Sequence, residues 1–198
     1  DGVVVLPPYY FRKATDDGLF NWFSELIEKA VPQGKHLLGY HIPVMTGVGF
    51  SLDLLERLKT KFPNQFAGIK DSSHDEAFAA AVGQRFGKEL FVLNGTDSYF
   101  HHALKNNAQG AITAPANLIS DNLREVWDLF QEGKDPTEVQ TKVTEQRHFL
   151  EHYSPIAPVL KGLLHKIYGL PSWPLRHPLE SLDEKTLEEA AEGFSKIS

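Results

Sequence analysis

Short apolar runs alternate with helical-period segments along this chain, and that alternation narrows its fold more than any other feature. Residues 3–6, 36–40, 66–70, 90–93 and 110–114 are brief runs rich in Val, Leu, Ile and Phe. Between them apolar residues recur at helical spacing, as at Leu19, Phe23, Leu26, Ile27 and Ala30, or Leu54, Leu55 and Leu58. Ser51 stands where the second of these helices needs an N-cap. Strand and helix in regular alternation predict parallel βα units, and buried parallel strands read as near-continuous apolar runs. After residue 114 the strands stop, and 122–131, 137–152, 158–168 and 184–197 read as helices. The fold class is therefore α/β. The pattern leaves two architectures open, a doubly wound sheet and a (β/α)8 barrel, although no glycine-rich phosphate loop of either common type supports the former.

Bulk properties exclude several functions. The 198 residues carry a formal net charge of -6, which gives no basic footprint for nucleic acid and no attraction to an anionic membrane. With no cysteine there is no disulfide, thiolate nucleophile or cysteine metal site. Among the nine histidines, His101 and His102 are adjacent and diverge on a helix and His74 lacks a partner at ligand spacing, so a structural or solvent-exposed role is the expectation for all of them, and no G-x-S-x-G nucleophile elbow occurs. No apolar run approaches a membrane span and no signal-peptide pattern opens the chain. The chain enters a β-branched run directly after Asp1-Gly2, without an initiator Met, and the expectation is that sequence is missing upstream.

In either architecture chemistry collects at the C-terminal ends of the strands. Those ends carry Pro7 to Tyr10, Tyr40 to Pro43, Lys70 to Ser73, Asn94 to Asp97, and Thr113 to Asn117. Lys70 is the residue of most interest. If it faces the interior, alternation puts Gly68 and Phe66 on the same side and Ile69 and Ala67 toward the helices. A lysine held there is partly desolvated, which favours the neutral amine that attacks a carbonyl. On the strand pattern alone, a solvent-facing lysine is the alternative. Tyr40 ends the preceding strand, and a phenol beside an amine can shuttle protons; rim packing is its other reading. Tyr9 and Tyr10 suit packing as well as catalysis. Asp97 suits a helix cap as well as a ligand contact. Gly47 and Gly95 suit turns or close approach to a ligand.

Five segments in order then resemble one family. They are Leu6-Pro7-Pro8-Tyr9-Tyr10, Tyr40-His41-Ile42-Pro43-Val44-Met45-Thr46-Gly47, Gly68-Ile69-Lys70-Asp71-Ser72-Ser73, Gly110-Ala111-Ile112, and Pro155-Ile156-Ala157-Pro158-Val159-Leu160-Lys161. Together they resemble the dihydrodipicolinate synthase / N-acetylneuraminate lyase superfamily over nearly the whole chain. The resemblance implies a (β/α)8 barrel with added C-terminal helices. Here it would supply the last five βα units in residues 1–132 and a helical extension in 133–198. It implies a lysine Schiff base with pyruvate or a related 2-oxo acid, and no metal or organic cofactor. By position Lys70 matches the Schiff-base lysine, Tyr40 the acid–base tyrosine, and Tyr10 a tyrosine that completes a proton relay in a neighbouring subunit. Met45, Thr46 and Gly47 fall in the substrate loop. Gly95, Thr96 and Asp97 fall where lyase-type members meet the sugar portion, and Ile112 where a backbone carbonyl lines the site. A cytoplasmic homo-oligomer, dimer or tetramer, is implied on the same ground.

Two departures shape the expected activity. The family's early glycine-threonine-glycine-glutamate segment, which binds the pyruvate carboxylate, has no counterpart in these residues. Met45 stands where the synthases place an arginine that binds the second substrate's carboxylate, and Ser98 stands where sialic acid lyases carry a glutamate. The expected activity is a pyruvate-dependent carbon–carbon lyase acting on a 2-keto-3-deoxy sugar acid or similar. The alternatives are 4-hydroxy-tetrahydrodipicolinate synthase and, from another class, a non-catalytic 2-oxo-acid-binding paralogue.

Overall fold

A computed structural model describes residues 2–198; Asp1 lies outside them. Five parallel strands form one sheet: β1 (Gly2–Val5), β2 (His36–His41), β3 (Phe66–Asp71), β4 (Phe91–Asn94) and β5 (Gly110–Ala111). Their spatial order is their sequence order. A doubly wound sheet reverses direction at a switch point, and none occurs among the described strands. The α/β fold is thus five consecutive βα units of a barrel. β5 is shorter than the apolar run that announces it.

The chain divides into two compact units. The first holds the residues up to Thr96 together with His102–Ile112, and the second holds Asp97–His101 with Thr113–Ser198. In the first, α1 (Asp16–Ala30), α3 (Leu52–Lys61) and α4 (Glu76–Phe86) cover one face of the sheet. Leu37, Ile69 and Val92 from the strands bury against Phe23, Leu54 and Val82 of these helices. Each helix begins at a side-chain cap, with Thr15 accepting from Gly18 N, Ser51 from Leu54 N and Asp75 from Phe78 N. Such caps contribute ~1 kcal/mol each. A four-residue helix, α2 (Pro43–Thr46), interrupts the loop after β2 where the sequence suggests only a proline stop. Proline at its first position needs no amide partner, and Gly47 closes it in the left-handed region at φ 67.

Strict alternation along β3 fails at one point. Leu37 pairs with Phe66, but Leu38 pairs with Gly68, so Ala67 is an extra residue in the ladder. This bulge places Phe66 with Ile69 in the helix-side core instead of beside Gly68 and Lys70. The expectation that Phe66 shares the face of Lys70 is corrected accordingly.

After β4 comes the short helix α5 (Phe100–Lys105), and the second unit contains α6 (Ala116–Gln131), α7 (Thr137–Glu151), α8 (Ile156–Tyr168) and α9 (Glu184–Ser195). α6 starts six residues before the periodicity suggests, because a kink at Ile119 breaks the helical pattern there. Buried Gln146 joins three parts of this unit, accepting from Asn122 and donating to the carbonyl of Ile197. No helix among the described residues is long and apolar enough to cross a membrane.

Candidate active site

Residues paired in register across parallel strands point to the same face. Leu37, Gly39 and His41 pair with Phe66, Ile69 and Asp71, and all six are buried on the helix side. The opposite face therefore carries two rows. The lower row is Val4, Leu38, Gly68 and Phe91, and the upper row is Tyr40, Lys70, Leu93 and Gly110. The upper row lies toward the C-terminal strand ends. Tyr40 and Lys70 are direct register partners there. The Lys70 ammonium sits 4.0 Å from the centroid of the Tyr40 ring, a cation–π contact worth ~0.5–2 kcal/mol. Both side chains are half-buried. Gly68 below Lys70 has a backbone reason for being glycine: a Cβ would lie 2.2 Å from the Phe91 carbonyl oxygen.

The loop after β2 is closely tied. The Thr46 hydroxyl reaches the carbonyls of Ile42, at 3.0 Å, and of Val48. Met45 points outward, 72% exposed. A Cβ on Gly47 would lie 2.7 Å from Cδ of Arg12. Arg12 is exposed and has no hydrogen bond or ion pair among the described residues, so a cation lies against this loop that the sequence pattern does not single out.

After β4, the Gly95 amide donates to the Asp71 carbonyl at 2.7 Å. A Cβ on Gly95 would meet Ser72 Oγ at 1.9 Å, so this turn demands glycine. The Thr96 amide donates to Asn94 Oδ1, while its buried hydroxyl has no hydrogen-bond partner among the described residues. The Ile112 amide donates to the Asn94 carbonyl at 2.9 Å. Tyr10 is 83% exposed and its ring meets Phe11 edge-on at 5.4 Å. The structure thus brings Lys70 and Tyr40 together, and shows no contact of Tyr10 with either.

Asp97 belongs to the second unit. It is 0% exposed. Its carboxylate does not cap a helix: Oδ2 accepts from Arg147 Nη1 at 2.9 Å, and Oδ1 has no hydrogen-bond partner among the described residues. Gln140 donates to the Asp97 carbonyl and accepts from the His101 amide. Two residues of α7, seven apart, so hold both ends of the 97–101 turn.

Two further residues at the strand ends lie outside the predicted site. His41 is buried, its Nδ1 accepts from the Phe50 amide at 2.9 Å, and its ring stacks on Phe78 with centroids 4.2 Å apart. Burial pushes its pKa down to about 4, and the charge of Asp75 only partly offsets this. Burial also raises the carboxyl of Asp71, against the bonds it accepts from Ser73. The signal for both was present in the sequence, as polar residues at alternate positions of apolar strands. Among the described residues no three His, Asp or Glu side chains converge as a metal site.

A family model described as "Dihydrodipicolinate synthetase family" matches residues 1–196. A protein of Chloroflexus aurantiacus, named an uncharacterized DapA-like lyase, is 29% identical over 197 residues, which are 100% of this chain and 65% of that protein. A 4-hydroxy-tetrahydrodipicolinate synthase of Methanospirillum hungatei is 29% identical, over 99% of this chain and 65% of its own length. The crystal structure of dihydrodipicolinate synthase from Agrobacterium tumefaciens superposes with a TM-score of 0.83 at 29% identity, covering 99% of this chain and 66% of that one. The chain spans about 65% of the length of these curated relatives.

Proposed function

This chain belongs to the dihydrodipicolinate synthetase family, and from that premise we propose that it is a class I, Schiff-base-forming carbon–carbon lyase acting through Lys70. One observation supports this above the rest: Lys70 and Tyr40 are register partners on one face at the C-terminal strand ends, with the amine over the phenol ring at 4.0 Å. The neutral amine of Lys70 attacks the 2-oxo carbon. Tyr40 relays the protons that turn the carbinolamine into a protonated imine and water. The imine then takes the electron pair of the breaking aldol bond while the substrate hydroxyl gives up its proton. An aldehyde leaves, and the remaining enamine is protonated and hydrolysed to pyruvate and free Lys70. The protonated imine is the electron sink, so the step calls for no metal or organic cofactor.

Thr46 and Gly47 enter through their backbone in this reading, since the Thr46 hydroxyl is engaged within its own loop. Met45 offers no charge-assisted hydrogen bond to a carboxylate, which favours a 2-keto-3-deoxy sugar acid as substrate. Gly95 and Thr96 serve the aldehyde half, the Ile112 carbonyl lines the site, and Tyr10 completes the relay in a neighbouring subunit of a homo-oligomer in the cytoplasm. Residues 1–132 make the barrel portion and 133–198 the helical extension.

Treatment with pyruvate and borohydride is the test. A stable mass increase on the peptide bearing Lys70, absent in Lys70→Arg, is the expected result; a folded protein that gives no adduct overturns the reading. The name of the Methanospirillum relative favours a second reading, condensation of pyruvate with aspartate semialdehyde. A product assay with both substrates separates the two, and Met45 predicts poor turnover there.

A further inference from the structure

We infer that His41 is a positioning residue for the 42–49 loop: its Nδ1 acceptor on the Phe50 amide closes the loop that carries Met45, Thr46 and Gly47. The inference builds on the Schiff-base reading, in which that loop meets the 2-oxo acid.

Four observations converge on the imidazole. First, His41 is the last residue of β2, directly after Tyr40, and its carbonyl accepts from the Ser72 amide of the neighbouring strand end at 2.8 Å. One end of the residue is thereby tied to the segment that follows Lys70. Second, its Nδ1 accepts from the Phe50 amide across nine residues of chain at 2.9 Å, in a buried setting. Phe50 is itself buried among the helices of the core and packs against Gly39, where a Cβ would lie 2.5 Å from the Phe50 ring. The far end of the loop is thus fixed to the sheet through one side chain.

Third, the ring is held on one flat side and along its Nδ1–Cε1 edge. Phe78 of α4 stacks on it at 4.2 Å and 19°. Gly49 lies against it, where a Cβ would come within 2.7 Å of Nδ1 itself. No side chain longer than hydrogen fits at 49 without moving the imidazole off the Phe50 amide. Fourth, the loop it closes is internally rigid, with Thr46 bonded to the Ile42 and Val48 carbonyls and Gly47 in the left-handed region. A rigid loop anchored at both ends transmits the placement of its anchor. Nδ1 accepts a hydrogen bond from the Phe50 amide, so the neutral ring carries its own proton on Nε2. The imidazole therefore acts through its geometry and takes no part in proton transfer at Lys70.

Two substitutions separate the acceptor from the stack. His41→Phe keeps a ring against Phe78 and removes the acceptor. His41→Asn places an amide oxygen where Nδ1 stood and removes the stack. The measurement is the pyruvate concentration giving half-maximal borohydride trapping at Lys70, taken on the intact protein beside its thermal midpoint. His41→Phe should raise that concentration about tenfold, the scale of one lost hydrogen bond, with maximal adduct unchanged. His41→Asn should stay within about twofold of wild type. An unchanged value in His41→Phe, with only a lower thermal midpoint, overturns the proposal by showing a merely structural histidine. An equal rise in both variants also overturns it, since the stack would then be what matters. If the wild-type protein forms no adduct, the Schiff-base reading fails by itself, and amide exchange over residues 44–50 still decides on His41. Selective acceleration in His41→Phe but not in His41→Asn supports the lock, and equal protection in all three proteins removes it.

Discussion

At the scale of single residues, the Lys70–Tyr40 pair allows the two proposed roles to be separated. Tyr40→Phe keeps the ring face over which the ammonium lies and removes only the phenol. It should therefore slow borohydride trapping at Lys70 without lowering the final adduct, while lowering turnover about 100-fold, within the range general acid–base groups supply. Lys70→Arg should remove both adduct and turnover. An adduct lost in Tyr40→Phe would assign the phenol a part in holding the amine, and undiminished turnover would remove it from the proton relay. Both residues were legible in the sequence because each closes an apolar run. What the run could not show is that their side chains meet, since that depends on register between strands, which pairing fixes only in three dimensions. The same limit hid Arg12, whose stem rests on Gly47 through a contact between two loops.

At the scale of elements, α7 illustrates how a polar face is used. Arg147 and Gln140 are exposed-looking residues in the sequence, yet within the second unit they hold the Asp97 carboxylate and carbonyl. Asp97 is 0% exposed, so removing its partner leaves a buried charge. Arg147→Met should destabilise the unit by roughly 3–5 kcal/mol, and the double change Arg147→Met with Asp97→Asn by clearly less. Urea denaturation of these two variants and of Asp97→Asn alone checks this; additive losses would show that the pair is uncoupled. Helix starts, by contrast, were readable from local chemistry. Ser51 accepts from the Leu54 amide, and Ser51→Ala should lower stability by ~1 kcal/mol. The bulge at Ala67 was not readable, since a strand of Phe, Ala, Gly and Ile alternates equally well in either register.

At the scale of the whole molecule, the strand ends tie folding to pH. His41 is held neutral by burial, with its pKa brought from 6.5 to about 4. The unfolded chain binds that proton first, so the stability associated with neutral His41 is complete above pH 6.5 and is lost progressively as the pH falls toward 4. That gap corresponds to roughly 3 kcal/mol. Asp71 acts in the opposite sense. Burial raises its pKa above 3.8, so the stability it contributes is present below 3.8 and is lost as the pH rises through its raised value. The two effects overlap at the acid end of the His41 window, where Asp71 blunts the loss. The slope is therefore steepest in the middle of the window, where the unfolded imidazole is protonated and the folded one is not. Urea midpoints measured between pH 7.5 and 4 should fall in the wild-type protein and flatten in His41→Asn. Asp71→Asn should instead deepen the fall at the acid end. Parallel curves for wild type and His41→Asn would place the acid sensitivity elsewhere. They would also mean that the folded protein takes up the imidazole's second proton as readily as the unfolded chain, and that proton occupies Nδ1 and removes the acceptor from the Phe50 amide.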